Sequence, residues 1–265
     1  MTNVREKMSN LIDIIKSCEK VIVAYSGGVD STFLAKVACD TLKDKSLAVM
    51  AFLDTSPSRE LNHALKMADI LQLNYQSITI DQTKNKLFLH NTPKRCYHCK
   101  KVLFEKLRQL AEIEGYLQVF DGTNYDDRLK YRPGSKAAEE MSIRSPLKEA
   151  KLTKNEIRQL SKEMKIPTWN RISYTCLATR IPYGEKITLP ALQRIEKAED
   201  YLYSLGLLIF RVRHHDSLAR IEVPWEKSEI ILKNRKELIQ IFKNIGYTNI
   251  TLDLQGFRSG SMDEM

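Results

Sequence analysis

The chain has 265 residues, 43% hydrophobic and 28% charged, a balance that argues against disorder and allows two domains or one α/β domain with a large appendage. Its formal net charge of +9 favours an anionic partner, but no dense Lys/Arg tract or aromatic-interleaved basic run is present, which places nucleic acid behind a small phosphorylated ligand. The N-terminal MTNVREKMSN is polar and no apolar run approaches membrane-spanning length, so the expectation is a cytoplasmic protein with neither leader nor membrane span.

Val4, Met8, Leu11, Ile12 and Ile15 recur at helical spacing and predict an amphipathic helix over residues 4–17. A strand over 21–25 follows, then a Gly-Gly loop and a helix from about Ser31 to Leu42. Next come a strand over 47–52, a helix near 59–71, a short strand near 75–80, and an irregular stretch over 81–95 that leads to CYHC and a helix reaching about Glu114. LQVFDGTN reads as a buried strand ending in a loop. TKNE at 153–156 spells a capping box between Thr153 and Glu156, and Pro167 ends that helix. Strands alternating with helices at this spacing predict a doubly wound, mostly parallel α/β sheet.

The pattern changes near residue 188. Pro190 opens a helix that Gly206 stops, and strands near 207–213 and 218–223 flank HHDS, where His214 and His215 read as turn residues. A helix near 225–243 and a strand over 248–254 complete a smaller α+β domain. The expected organisation is therefore a nucleotide domain over 1–170, a loop over 171–188 carrying Cys176, and an α+β domain over 189–265. The Gly/Ser-rich tail GFRSGSMDEM reads as mobile unless a ligand or partner orders it.

SGGVDS, residues 26–31, joins a strand to a helix, where backbone N–H groups and the helix dipole form an anion site. Gly27 and Gly28 allow close backbone approach, and Ser26, Ser31 and Thr32 add hydroxyl donors. Bare phosphate would repel Asp30, which makes sense as a ligand to a bridging Mg²⁺. The lysine of a Walker A loop is missing, and the motif resembles the PP-loop of the ATP pyrophosphatase superfamily. That resemblance implies a HUP-like fold and ATP held by Ser26, Gly27, Gly28, Val29, Asp30 and Ser31. DGTNYDD, at a strand end, adds Asp121, Thr123, Asn124 and Asp126 as candidates, with turn chemistry as their plainer role.

Five cysteines in a chain of this kind favour metal or catalytic roles over structural disulfides. Cys18 and Cys39 fall in or beside apolar helical patterns and read as small buried hydrophobes. Cys96 and Cys99 form a CxxC with no second CxxC in the chain, which excludes a four-cysteine zinc ribbon; a redox pair and a Cys₃His zinc site using His98 remain open. Cys176 lies near Arg171 and Arg180 in sequence, and neighbouring cations favour a reactive thiolate. Arg211 and Arg213, two apart on a strand, share a face and suit either a solvated amphipathic hairpin or a phosphate clamp.

RCYHCKKVLFEKL, DGTNYDD, SPL, CLATRIPYGEKIT, RVRHH and LDLQGFRSGSM, in this order along nearly the whole chain, resemble the LarE family of sulfur transferases. The resemblance implies ATP-dependent adenylation of the carboxylates of a pyridinium biscarboxylic acid mononucleotide and their conversion to thiocarboxylates for a nickel-pincer cofactor. It implies Cys176 and Asp30 as catalytic residues, Arg180, Arg211 and Arg213 as substrate-binding residues, and Glu199 and Glu222 with Asp30 as ligands of a divalent cation. It also implies a homo-oligomer. Two sulfur sources are open: a 4Fe–4S cluster on Cys96, Cys99 and Cys176, or Cys176 itself, sacrificed to dehydroalanine. A PP-loop tRNA thiolase and a nucleotide-binding module without chemistry are the remaining alternatives.

Overall fold

The computed structural model describes residues 3–129, 133–172 and 174–258. Residues 259–265, most of the tail expected to be mobile, lie outside that description. Two compact units emerge: Met1–Gln82 with Cys96–Ser173, and Thr83–Arg95 with Tyr174–Met265. The stretch Thr83–Arg95 thus groups with the later part of the chain. Asn91 explains why, because its side-chain amide donates to the carbonyls of Ile181, Pro182 and Glu185 at 3.3, 2.7 and 3.0 Å.

In chain order the first elements are α1 (Val4–Lys16), β1 (Val21–Tyr25), α2 (Val29–Leu42), β2 (Ser46–Leu53), α3 (Ser58–Ile70) and β3 (Tyr75–Ile80). Then follow α4 (Lys86–Leu89), α5 (Arg95–Glu114), β4 (Gln118–Phe120), α6 (Pro133–Glu140), α7 (Pro146–Glu149) and α8 (Lys154–Glu163). The last are α9 (Leu189–Ser204), β5 (Arg211–His215), β6 (Leu218–Glu222), α10 (Ser228–Lys233), α11 (Arg235–Ile245) and β7 (Asn249–Leu252).

The first unit is doubly wound, as its alternating strands and helices predict. All strand pairs are parallel, in the order β3-β2-β1-β4. β1 is apolar on both faces because both are covered. Val21, Val23 and Tyr25 pack with Leu11, Ile15, Phe33 and Leu34, whereas Ile22 packs with Val49, Phe104, Leu107 and Val119 on the opposite side. The chain builds outward from β1 to β3 and then returns to add β4 on the other side of β1. Strand order therefore switches at β1/β4, and the loops leaving the carboxyl ends of those two strands border the crevice where open α/β sheets hold ligands. Those loops are SGGVDS and DGTN. α8 starts with the expected capping box, in which Thr153 Oγ1 accepts from Glu156 N–H and the Glu156 carboxylate accepts from Thr153 N–H.

The second unit has a three-stranded sheet in the order β5-β6-β7, with β5/β6 antiparallel and β6/β7 parallel. Phe210, Val212, Ala219, Ile221 and Val223 pack with Ala198 and Leu202 of α9 and Leu238 and Phe242 of α11. The helix expected near 225–243 is two helices that meet at Asn234, whose side chain donates to the Ile230 carbonyl at 2.8 Å. The strand expected to end at 213 continues to His215, which corrects the turn assignment of His214 and His215. The inward alternation of Phe210 and Val212 extends to His214, which is buried against Tyr247, with Nδ1 3.2 Å from the phenol oxygen. The turn itself falls at Asp216, whose φ is +51°. Among the described residues no helix is long and apolar enough to cross a membrane.

Candidate functional site

Gly27 has φ +70°, and a Cβ there would lie 2.6 Å from Ala64 Cβ and 2.8 Å from Ala64 Cα, so only glycine fits against α3. Tyr25 secures this approach by donating its hydroxyl to the Ala64 carbonyl at 2.9 Å; burial pushes its phenol up to about 12, keeping the donor protonated at neutral pH. Gly28 is the N-cap of α2 and supplies no side-chain cap, so the first-turn N–H groups receive none and keep their capacity for an anion. Ser31 closes the loop internally, its Oγ accepting from Ser26 N–H at 3.2 Å and lying 2.9 Å from Ser26 Oγ.

The loop after β4 packs onto the same turn, since a Cβ on Gly122 would come within 3.0 Å of Ser31 N. Asp121 and Thr123, expected to hold cofactor, shape this loop. Asp121 Oδ1 accepts from Thr123 N–H at 3.2 Å and Ser145 Oγ at 2.7 Å, and its Oδ2 accepts from Thr123 Oγ1 at 2.7 Å. Those bonds are the turn chemistry that was the plainer alternative.

Asp30 is the chemically unusual residue of the loop. Its Oδ2 accepts from Lys154 Nζ at 2.7 Å and Asn124 Nδ2 at 3.4 Å, while its Oδ1 is buried with no hydrogen-bond partner among the described residues. A buried carboxylate oxygen with uncommitted lone pairs is a hard-cation ligand, so Asp30 fits Mg²⁺. In the sequence Lys154 stands only as the second residue of the TKNE capping box. Its contact with Asp30 spans 124 positions, and no local pattern announces it.

Cys96 and Cys99 fall in the first two turns of α5, which begins where the expected irregular stretch ends. Three residues apart on a helix, they share a face, whereas His98 turns elsewhere and its ring stands edge-on to Tyr97 at 5.2 Å. Cys96 is exposed; Cys99 is partly buried and accepts from Gln82 Nε2 at 3.4 Å. Cys176 belongs to the second unit. Among the described residues no three His, Cys, Asp or Glu side chains gather to hold a metal ion, and Cys96 and Cys99 belong to the first unit.

In the second unit Cys176 precedes a single 3₁₀ turn, Leu177–Arg180. Its carbonyl accepts from Thr179 N–H at 3.0 Å, Thr179 Oγ1 at 2.8 Å and Arg180 Nη1 at 3.0 Å. Arg180 is fully buried. Its Nε and Nη2 donate to Glu199 Oε1 and Oε2, both at 2.9 Å, and its Nη1 also reaches Thr175 O, Thr175 Oγ1 and Thr179 Oγ1. This corrects its expected substrate role, because all three guanidinium nitrogens are committed inside the protein and tie the Cys176 turn to α9. Burial alone would raise the Glu199 carboxyl, but the Arg180 charge and hydrogen bonds, Arg211 and the Val212 N–H together hold it low.

Arg211 and Arg213 share one face of β5, as their spacing predicts. Arg213 donates Nη1 to Thr179 O at 2.9 Å and pairs with Glu222 at 2.8 Å. Arg211 donates to the Phe210 carbonyl at 2.6 Å and sits 5.2 Å from the Phe257 ring. Burial, with Arg180 and Arg213 nearby, pulls Arg211 down to about 10. Arg180, Arg211, Arg213 and Arg220 against Glu199, Glu222 and Asp253 leave an excess of positive charge, which suits an anionic ligand. Glu199 and Glu222, expected to hold a divalent cation, are both paired with arginine, Glu222 also with Arg220 at 3.4 Å.

A parallel sheet whose first strand feeds a lysine-free, glycine-tight anion loop at the switch point defines a PP-loop protein. Residues 3–109 match the NAD synthase family model. The chain is 35% identical over 265 residues to pyridinium-3,5-bisthiocarboxylic acid mononucleotide synthase of Lactiplantibacillus plantarum, covering 100% of this chain and 96% of that one. It is 40% identical over 261 residues to an uncharacterized Synechocystis protein (98% and 97% covered) and 36% identical over 259 residues to one from Methanocaldococcus jannaschii (97% and 95%). The chain belongs to the LarE family of the PP-loop superfamily.

Proposed function

We propose that this enzyme, an ATP-dependent and AMP-forming sulfurtransferase, acts on a pyridinium-3,5-biscarboxylic acid mononucleotide and replaces carboxylate oxygen by sulfur, the chemistry named for its Lactiplantibacillus relative. The observation that carries the proposal is the SGGVDS loop, with Gly27 pressed on Ala64 and Asp30 Oδ1 open at the switch point. Mg²⁺ on Asp30 would offset triphosphate charge. The α2 N-terminus holds the phosphates; a substrate carboxylate oxygen bonds to the α-phosphorus as the α–β bridge breaks, and pyrophosphate leaves with the electron pair. Arg211 and Arg213 are the candidates for the substrate phosphate.

Cys176 is the proposed sulfur nucleophile. Its thiolate attacks the acyl adenylate, AMP departs and a thioester forms. Loss of the Cα proton then breaks the Cβ–S bond, leaving dehydroalanine and a thiocarboxylate with no net redox change. A second reading rests on Cys96 and Cys99 sharing one helix face, a spacing that suits two thiolates on one cluster, which when bound would supply a replaceable sulfide.

Intact mass after turnover, with iron and sulfide analysis of anaerobically purified protein, separates the two. The Cys176 route predicts loss of one sulfur per turnover and near-normal activity in Cys96→Ser and Cys99→Ser. Unchanged mass, stoichiometric iron and inactive Cys96→Ser and Cys99→Ser variants would establish the cluster instead.

A further inference from the structure

Three arginines converge on the carbonyls of the turn that carries Cys176. Arg180 donates to the Cys176 carbonyl at 3.0 Å and Arg213 to the Thr179 carbonyl at 2.9 Å. The third is Arg95, which opens α5 and donates Nη1 to the Ala178 carbonyl at 3.2 Å. Arg180 and Arg213 are balanced by Glu199 and Glu222. Arg95 is 4% exposed, yet among the described residues only neutral groups meet its guanidinium. They are the Ala178 carbonyl, Asn91 Oδ1 at 2.6 Å and the face of the Tyr183 ring at 4.6 Å. Burying a cation without a counter-ion costs stability that a neutral side chain of the same shape would spare, so packing alone is a poor reason for an arginine here.

Asn91 fixes the guanidinium. It is fully buried in the left-handed region at φ +52°, which asparagine tolerates better than most residues. While its Oδ1 takes the proton of Arg95 Nη1, its amide holds the carbonyls of Ile181, Pro182 and Glu185. Two backbone bonds add to this, from Gly184 N–H to the Asn91 carbonyl at 3.1 Å and from Ile187 N–H to the Leu89 carbonyl at 3.0 Å. The clamp thus grips the chain after Cys176 at both ends, through Arg95 near the cysteine and through Asn91 beyond it.

We propose that Arg95 is a positioning residue for sulfur transfer, holding the Cys176 turn in the geometry from which the thiolate attacks the acyl adenylate. This rests on the reading of Cys176 as the sulfur nucleophile and adds to it a residue 81 positions away. Nucleophilic attack demands close, aligned approach, and a turn tethered at one carbonyl fewer loses that alignment without losing its thiol. The irregular stretch ahead of CYHC, to which the sequence assigns no chemistry, acquires a purpose as the frame of this clamp.

The test follows pyrophosphate and thiocarboxylate over one turnover in wild type, Arg95→Met, Arg95→Lys and Cys176→Ala, across a range of mononucleotide concentrations. Arg95→Met is expected to slow thiocarboxylate formation roughly 10- to 100-fold. Pyrophosphate release, and the mononucleotide concentration that half-saturates it, should stay within about twofold. That concentration also reports that the second unit is folded, since Arg211 and Arg213 are assigned to the substrate phosphate. Both bonds of Arg95 leave from one nitrogen, so an ammonium can remake them, and Arg95→Lys is expected to recover most of the transfer. Undiminished transfer in Arg95→Met, an equal fall of both products, or a lysine variant no better than the methionine one would overturn the positioning role. Thiocarboxylate still formed by Cys176→Ala would overturn instead the reading of Cys176 beneath it.

Discussion

Changing Cys176 to alanine is expected to abolish thiocarboxylate formation, a fall of at least roughly a thousandfold, while ATP is still split to AMP and pyrophosphate when the mononucleotide is present. The separation follows from how the turn is built. The backbone of Cys176 anchors the turn: the residue's carbonyl takes three donors, from Thr179 N–H, Thr179 Oγ1 and Arg180 Nη1. Its φ of −50° and ψ of 137° are open to alanine. The substitution therefore removes the sulfur and keeps the carbonyl contacts of the turn, and activation, which belongs to the phosphate loop, proceeds. Chromatography of AMP and thiocarboxylate in one reaction checks both halves. Undiminished thiocarboxylate would remove Cys176 from the mechanism.

The Arg180→Met variant is expected to be the most destabilised single variant of the second unit, by about 3–5 kcal/mol, because it strands a fully buried Glu199 carboxylate. Removing both charges, in Arg180→Met/Glu199→Met, should recover much of that loss, since the desolvation of each ion disappears with its partner. The double variant should still transfer sulfur poorly, for the Cys176 turn loses its tie to α9. Denaturant unfolding beside product assays tests this; a single variant as stable as wild type would show the pair to be of little structural consequence. The same pair sets an acid limit. Glu199 is held below its unfolded value, so its stabilisation is complete above about pH 4.3 and disappears as pH falls through the lower folded value.

Local chemistry was legible in the sequence wherever it was written in adjacent residues. VIVAYSGGVDS specified a buried strand, an anion loop and a helix; Thr153 and Glu156 specified a cap; Pro190 and Gly206 bracketed a helix. What could not be read was which partner each charged residue chooses. Arg180 sits in an exposed-looking stretch yet spends its guanidinium on Glu199, and Lys154 crosses the fold to Asp30. Both choices depend on tertiary contacts that propensity and spacing do not carry. His214 is a different case. Its inward place continues the alternation of Phe210 and Val212, a signal that the polar HHDS composition obscured. Asp121 illustrates the reverse: a carboxylate at a strand end resembles a ligand site, but three donors from Thr123 and Ser145 engage it.

The claim beneath all of this is that a substrate carboxylate oxygen attacks the α-phosphorus of ATP. Substrate labelled with heavy oxygen in its carboxylates, turned over with unlabelled ATP, follows that atom directly by mass spectrometry. The account predicts AMP carrying one heavy oxygen for each thiocarboxylate formed, with unlabelled pyrophosphate. Label found in inorganic phosphate beside ADP, or AMP that carries none, would contradict it.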